Sequence, residues 1–174
     1  MYTHALIYSG NVVQEFKRVL GEYEFSNPLH RFNGVERWAM TLQPLTPGSN
    51  YNEMVDTRDP NLHVYLQAAG RADEMTVEIC KPGGQEWGAK WVLYAIGHPH
   101  DGTQPIDVPI HLPDGTEMIS TPEVFTADEA TQLFMSYYKT GDIPEGYTLR
   151  PLEAFRDNNT SVDLRNAAHP RELQ

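Results

Sequence analysis

The chain has 174 residues, 40% apolar and 10% aromatic, and a formal net charge of −11 from 24 acidic and 13 basic groups. A domain of this length buries roughly 70% of its unfolded surface, so the composition argues against disorder and against dependence on a metal or disulfide. The charge argues against nucleic acid as a direct ligand, because phosphate would be repelled.

A lone cysteine, Cys80, excludes an internal disulfide framework and suits a reducing cytoplasm. No basic start is followed by an apolar run, and no apolar run approaches membrane length. The expectation is a soluble, unexported, cytoplasmic protein.

Residues 4–8, HALIY, read as a first strand. Asn11 and Gln14 suggest a cap for a helix over 11–21, with Val13, Phe16 and Leu20 on one face and Gly21 as its stop. Residues 24–34 carry the turn signals Asn27-Pro28 and Asn33-Gly34. Residues 36–43 alternate like a strand, and the proline-containing stretch 44–60 reads as a loop.

The plainest β signal follows. Leu62, Val64, Leu66 and Ala68 alternate with polar or aromatic neighbours, as do Met75, Val77 and Ile79, and 70–73 joins them into a hairpin. Residues 87–96 form a further strand rich in aromatic and β-branched types. Four prolines make 97–113 loop-like, Asp114-Gly115 a turn and 116–120 a short strand.

The stretch 126–141, TADEATQLFMSYYKTG, states both ends of a helix. Thr126 and Glu129 form a capping box, Asp128 and Glu129 suit the positive end of the dipole, and Gly141 supplies the left-handed exit before Pro144. Ala127, Ala130, Leu133, Phe134, Tyr137 and Tyr138 share one face. Beyond it, 147–150 reads as a sheet edge, 151–155 as one helical turn, and 156–174 as a polar, frayed tail.

Strands flanked by helices argue for one α+β domain over 1–155. Its mostly antiparallel sheet would be covered by two main helices, 11–21 and 126–140.

Chemistry-bearing residues are sparse. His98, His100 and Asp101 could ligate zinc, yet no second cluster supports them. Cys80 lies in a strand without a nucleophile signature, so it reads as a structural thiol. Gly83-Gly84 is a turn, since no GxxxxGK run or following helix accompanies it. No GxSxG, HExxH or EF-hand pattern occurs, so no enzyme and no cofactor is expected. Trp38, Tyr137 and one of Trp87 and Trp91 are expected in the core.

The block from 114 to 150 is more specific than its physics requires. A turn leads to Pro122-Glu123, a helix carrying Ala130, Phe134 and Tyr138, and then Thr140-Gly141 and Pro144. This pattern resembles immunity protein family one of bacterial polymorphic toxin systems, with Leu149 standing near the family's Trp. The resemblance implies an α+β inhibitor encoded beside a secreted toxin, often a nucleic-acid deaminase. Such a protein binds its toxin 1:1 in the producing cell's cytoplasm and blocks the active site or substrate entry. The matched residues are those of a helix end and a turn, so they carry fold and no binding role.

Charge fits that picture. Residues 1–100 carry 8 basic and 11 acidic groups, whereas 101–174 carry 5 and 13. An acidic face can imitate the polyanion that a basic toxin grips. The contact residues expected on this ground are Asp101, Asp107, Asp114, Glu117, Asp142 and Glu145. Two alternatives stand beside it: a small metal-dependent hydrolase using His98, His100 and Asp101, and an adaptor for a secretion apparatus.

Overall fold

The first strand, β1 (His4–Tyr8), forms as the sequence predicts. The expected helix over 11–21 does not: Val12–Glu15 is a strand, β2, paired antiparallel with β1. Gly10 and Asn11 turn the chain with left-handed φ of 79° and 60°, which these two residue types accept at low cost. The β-branched pair Val12-Val13 then finds a strand partner at once, and that outweighs a weak helical periodicity.

The covering helix lies further on, where turns were expected. It is α1 (Glu22–His30), and the Glu24 carboxylate accepts a hydrogen bond from the Gly21 amide at 2.7 Å to close its first turn. Pro28 sits in its last turn, and Phe25 and Leu29, four residues apart, are buried.

Next come β3 (Ala39–Pro44) and, inside the expected loop, a short helix α2 (Tyr51–Thr57). Asn50 and Glu53 exchange side-chain-to-amide hydrogen bonds at 2.9 Å, a capping box legible in the sequence, and Met54 is buried. The predicted hairpin is β4 (Tyr65–Arg71) with β5 (Glu74–Pro82), and β6 (Trp91–Gly97) follows a 3-10 turn at Gln85–Trp87. Despite its prolines, Val108–Leu112 forms β7, which pairs only with β8 (Gly115–Ile119).

The helix α3 (Ala127–Thr140) has the predicted ends. The Thr126 side chain caps it and Gly141 closes it at φ 77°. The helical turn predicted at 151–155 is instead part of β9 (Thr148–Phe155), an interior strand. Pro151 is tolerated there because the register with β6 shifts between Leu93 and Tyr94, a bulge that spares a ladder donor.

The structure, a computed structural model, describes residues 1–165 and 171–173. Within the expected frayed tail, β10 (Ser161–Asp163) pairs with β9, and the backbone of β11 (Arg171–Leu173) pairs with β10. Val162 and Leu164 are buried, so two apolar residues anchor this stretch to the sheet. The remainder of the expected tail, 166–170 and 174, lies outside the described residues.

The fold is α+β with an antiparallel nine-stranded sheet in the order β11-β10-β9-β6-β5-β4-β3-β1-β2 and a separate β7–β8 hairpin. Leu6, Met40, Leu42, Leu66, Val77 and Ile79 face α1 and α3 in the main core, joined there by Phe25, Phe125, Phe134 and Tyr137. The opposite face is also covered. Ala5 packs with Leu45 and Met54 of α2, and Cys80, Leu93, Ala95 and Leu152 form a further cluster with Tyr65, Trp91 and Phe155. Tyr137 is in the core as expected, whereas Trp38, Trp87 and Trp91 are each only half-buried. Trp91 instead stacks on His63, centroids 4.5 Å apart.

Candidate functional site

Around His98 the chain builds a junction and not a metal centre. His98 follows β6, and its ring stacks on Phe125 at 4.2 Å and 19°. Its Nδ1 faces the Pro122 carbonyl at 2.7 Å and its Nε2 the Glu129 carboxylate at 2.5 Å. Both ring nitrogens are engaged, so neither is directed at an ion. His100 Nδ1 turns back to the His98 carbonyl at 2.9 Å, and Asp101 is exposed. Among the described residues no group of three or more His, Cys, Asp or Glu side chains could hold a metal.

Glu129 has two duties there. It closes the α3 capping box by accepting from the Thr126 amide at 3.0 Å, and it holds His98. Burial opposes its ionisation, but the Thr126 amide and His98 outweigh that and keep its carboxyl below the usual range.

Residues matched to the immunity pattern are fold elements. Ala130 and Phe134 are buried, the Tyr138 hydroxyl accepts from the Leu20 amide at 3.1 Å, and Thr140 accepts from the Asp142 amide at 3.2 Å. Leu149 is exposed.

The six acidic candidates differ in what the fold sets beside them. Asp142 pairs with Lys81 at 3.4 Å beside the end of α3. Glu117 lies behind the sheet, bonded to Arg165 at 3.1 Å and close enough to the buried Glu78 to disfavour its ionisation. Asp101, Asp107, Asp114 and Glu145 are exposed, and none forms an ion pair among the described residues.

Glu78 is the titratable residue that alternation misplaces. In the sequence it falls between Val77 and Ile79 like any solvent-facing strand residue. In the structure it is 7% exposed, accepting from Gln67 Nε2 at 2.7 Å. Burial pushes its carboxyl up to about 7; the Gln67 bond opposes this, Glu117 adds to it, and Arg165 and Arg150 oppose it.

A raised folded-state value means that the native protein binds the proton more tightly than the unfolded chain does. Stability from this group is therefore complete below the ordinary carboxyl value and declines as pH rises from about 4.5 to about 7. Glu78→Gln removes that decline. The variant is expected to be more stable than wild type by up to about 3 kcal/mol at pH 8, with the gap closing toward pH 4. Thermal melts across that range check it, and a pH-independent difference contradicts it.

Cys80, behind the sheet as well, is buried, and desolvation pushes its thiol up to about 12.

One open cleft stands apart from these features. It occupies about 470 Å³ between the β1–β2 hairpin and α1. Tyr8 and Ala39 lie on its strand side, Tyr23 and Asn27 on its helix side, and Arg18, Arg31 and Arg37 around it. Arg18 is held by Glu24, whereas Arg31 and Arg37 have no ion pair or side-chain hydrogen bond among the described residues. The sequence signal for this cleft was weak, since α1 itself was read as turns.

Among the described residues no helix is long and apolar enough to cross a membrane. No protein-family model, curated protein or solved structure matches the chain.

Proposed function

We propose that this chain is a cytoplasmic immunity protein that binds one cognate toxin domain in a 1:1 complex and blocks its active site or substrate entry, without cofactor or turnover. The observation that carries the reading is the set of exposed carboxylates at Asp101, Asp107, Asp114 and Glu145, which form no ion pair among the described residues, on a chain of net charge −11. Carboxylates already neutralised at home add little to a partner's field, whereas free ones steer a basic partner toward the surface. A toxin that acts on nucleic acid needs a basic groove, and a deaminase of that kind is the partner the resemblance favours. The hydrolase alternative is weakened by His98, whose two nitrogens are both engaged.

The test is a pull-down with tagged full-length protein from its native cell, followed by co-expression with what is recovered. One dominant basic toxin whose growth arrest is relieved supports the proposal; several unrelated effectors would indicate a secretion adaptor. With that toxin in hand, Asp101→Lys, Asp107→Lys and Asp114→Lys combined should slow association at least tenfold at low ionic strength and flatten its salt dependence. An unchanged on-rate removes these loops from the contact face.

A further inference from the structure

The sheet ends at β2, whose outer edge carries no strand among the described residues. Natural sheets blunt such edges with Lys, Pro or a cover. Here the edge reads Val-Val-Gln-Glu, and Val12 is 59% exposed. Of the exposed large apolar side chains, Val12 and Tyr23 line the cleft. Tyr23 is 72% exposed on the helix wall.

Charge reverses locally. In a protein of net −11, Arg18, Arg31 and Arg37 converge on one cleft, and the last two guanidinium groups have no carboxylate partner among the described residues. Glu24 is committed to Arg18 and to the Gly21 amide, and Glu36 to the Asn33 side chain at 2.8 Å. Exposed tyrosine and arginine beside an open strand edge make the composition of an interaction hot spot.

We infer that this edge and cleft form a docking site for an extended, acidic segment of a protein partner. The segment adds as a further strand to β2, so that main-chain hydrogen bonds supply affinity. On β2, Val12 and Gln14 line the cleft while the Glu15 side chain turns away to accept from the Tyr51 amide at 2.7 Å. Alternate side chains of the added strand point to the same side as Val12 and Gln14. Carboxylates at those alternate positions reach Arg31 and Arg37, which bind them in fork geometry, and Tyr23 packs against the apolar stem. The inference is independent of the immunity proposal. That proposal places a basic partner on the acidic loops, and substitutions in those loops leave this cleft intact.

A displayed library of random seven-residue peptides, selected on the full-length protein, tests it. The expected result is enrichment of sequences with Asp or Glu at positions two apart. Synthetic copies should bind at least tenfold more weakly to Arg31→Ala/Arg37→Ala, should lose binding when alternate peptide amides are N-methylated, and should slow amide exchange within Val12–Glu15. Both arginines are exposed, so the double variant should melt with wild type, which separates a lost site from a lost fold. Enriched peptides without carboxylates, binding indifferent to the two arginines, or no enrichment would each overturn the inference.

Discussion

Glu123→Ala is expected to cost about 3–5 kcal/mol of unfolding free energy, the range for breaking a buried ion pair from one side. The Glu123 side chain is only 4% exposed. Arg150 grips it in fork geometry, Nε at 2.9 Å and Nη2 at 3.0 Å, and the Ser120 amide donates to it at 2.7 Å. Burial alone would raise its carboxyl, but Arg150 and the Ser120 amide outweigh burial and hold it below the usual range. The stability it contributes is therefore present above the ordinary carboxyl value and lost as pH falls through the depressed one.

Deleting it leaves the Ser120 amide and the Arg150 guanidinium, whose side chain is 25% exposed, without the carboxylate that they share. The surroundings leave little room for adjustment. A Cβ at Gly97 would collide with Thr148 Oγ1 and approach Glu123 Cγ to 3.4 Å. The same turn presents the Pro122 carbonyl to His98, so the damage should spread to the α3 N-terminus. Urea unfolding of the single variant measures the loss, and Glu123→Met/Arg150→Met should recover a good part of it by removing both charges. A single-variant loss below about 1 kcal/mol would mean that solvent reaches this pair after all.

Phe134→Ala should destabilise by a similar amount, about 3–5 kcal/mol, through lost burial and the cavity left behind. Phe134 is fully buried on the inner face of α3, its ring 5.9 Å from that of Phe25 on α1. It sits where the two helices pack together above the strands, so neither helix can move in to fill the space without leaving the sheet. Chemical denaturation reads the effect in midpoint, with the slope unchanged if the native state stays compact. A loss near that of an exposed alanine substitution would show that α1 and α3 are not docked as described.

Much of this fold was legible locally. α3 could be read in full because each of its signals acts within one turn: Thr126 to Glu129, Lys139 in the last turn, Gly141 at the exit. The β4–β5 hairpin was legible for the same reason, since alternation on both arms and a tight turn are short-range facts. Asn50 and Glu53 carried a comparable signal for α2, masked by the prolines around it. The region 11–30 was not legible. Its apolar spacing admits a helix, and only the presence of β1 and the packing surface of α3 turned the first part into β2 and the second into α1.

The candidate sites divide along the same line. Residue type alone identified the acidic loop positions and the absence of familiar catalytic patterns. Whether those carboxylates are free or neutralised depended on what the fold set beside them: Lys81 for Asp142, Arg165 for Glu117, and no ion-pair partner among the described residues for Asp101, Asp107, Asp114 or Glu145. His98 looked like a ligand because its spacing to His100 and Asp101 is local, but Pro122 and Glu129 come from other elements and take both its nitrogens. By itself the sequence determined net charge, the caps of α3 and the strand periodicity, because each depends on neighbours along the chain. The burial of Glu78, the Glu123–Arg150 pair and the arginine-lined cleft were decided only by tertiary structure, because burial and ion pairing depend on neighbours in space.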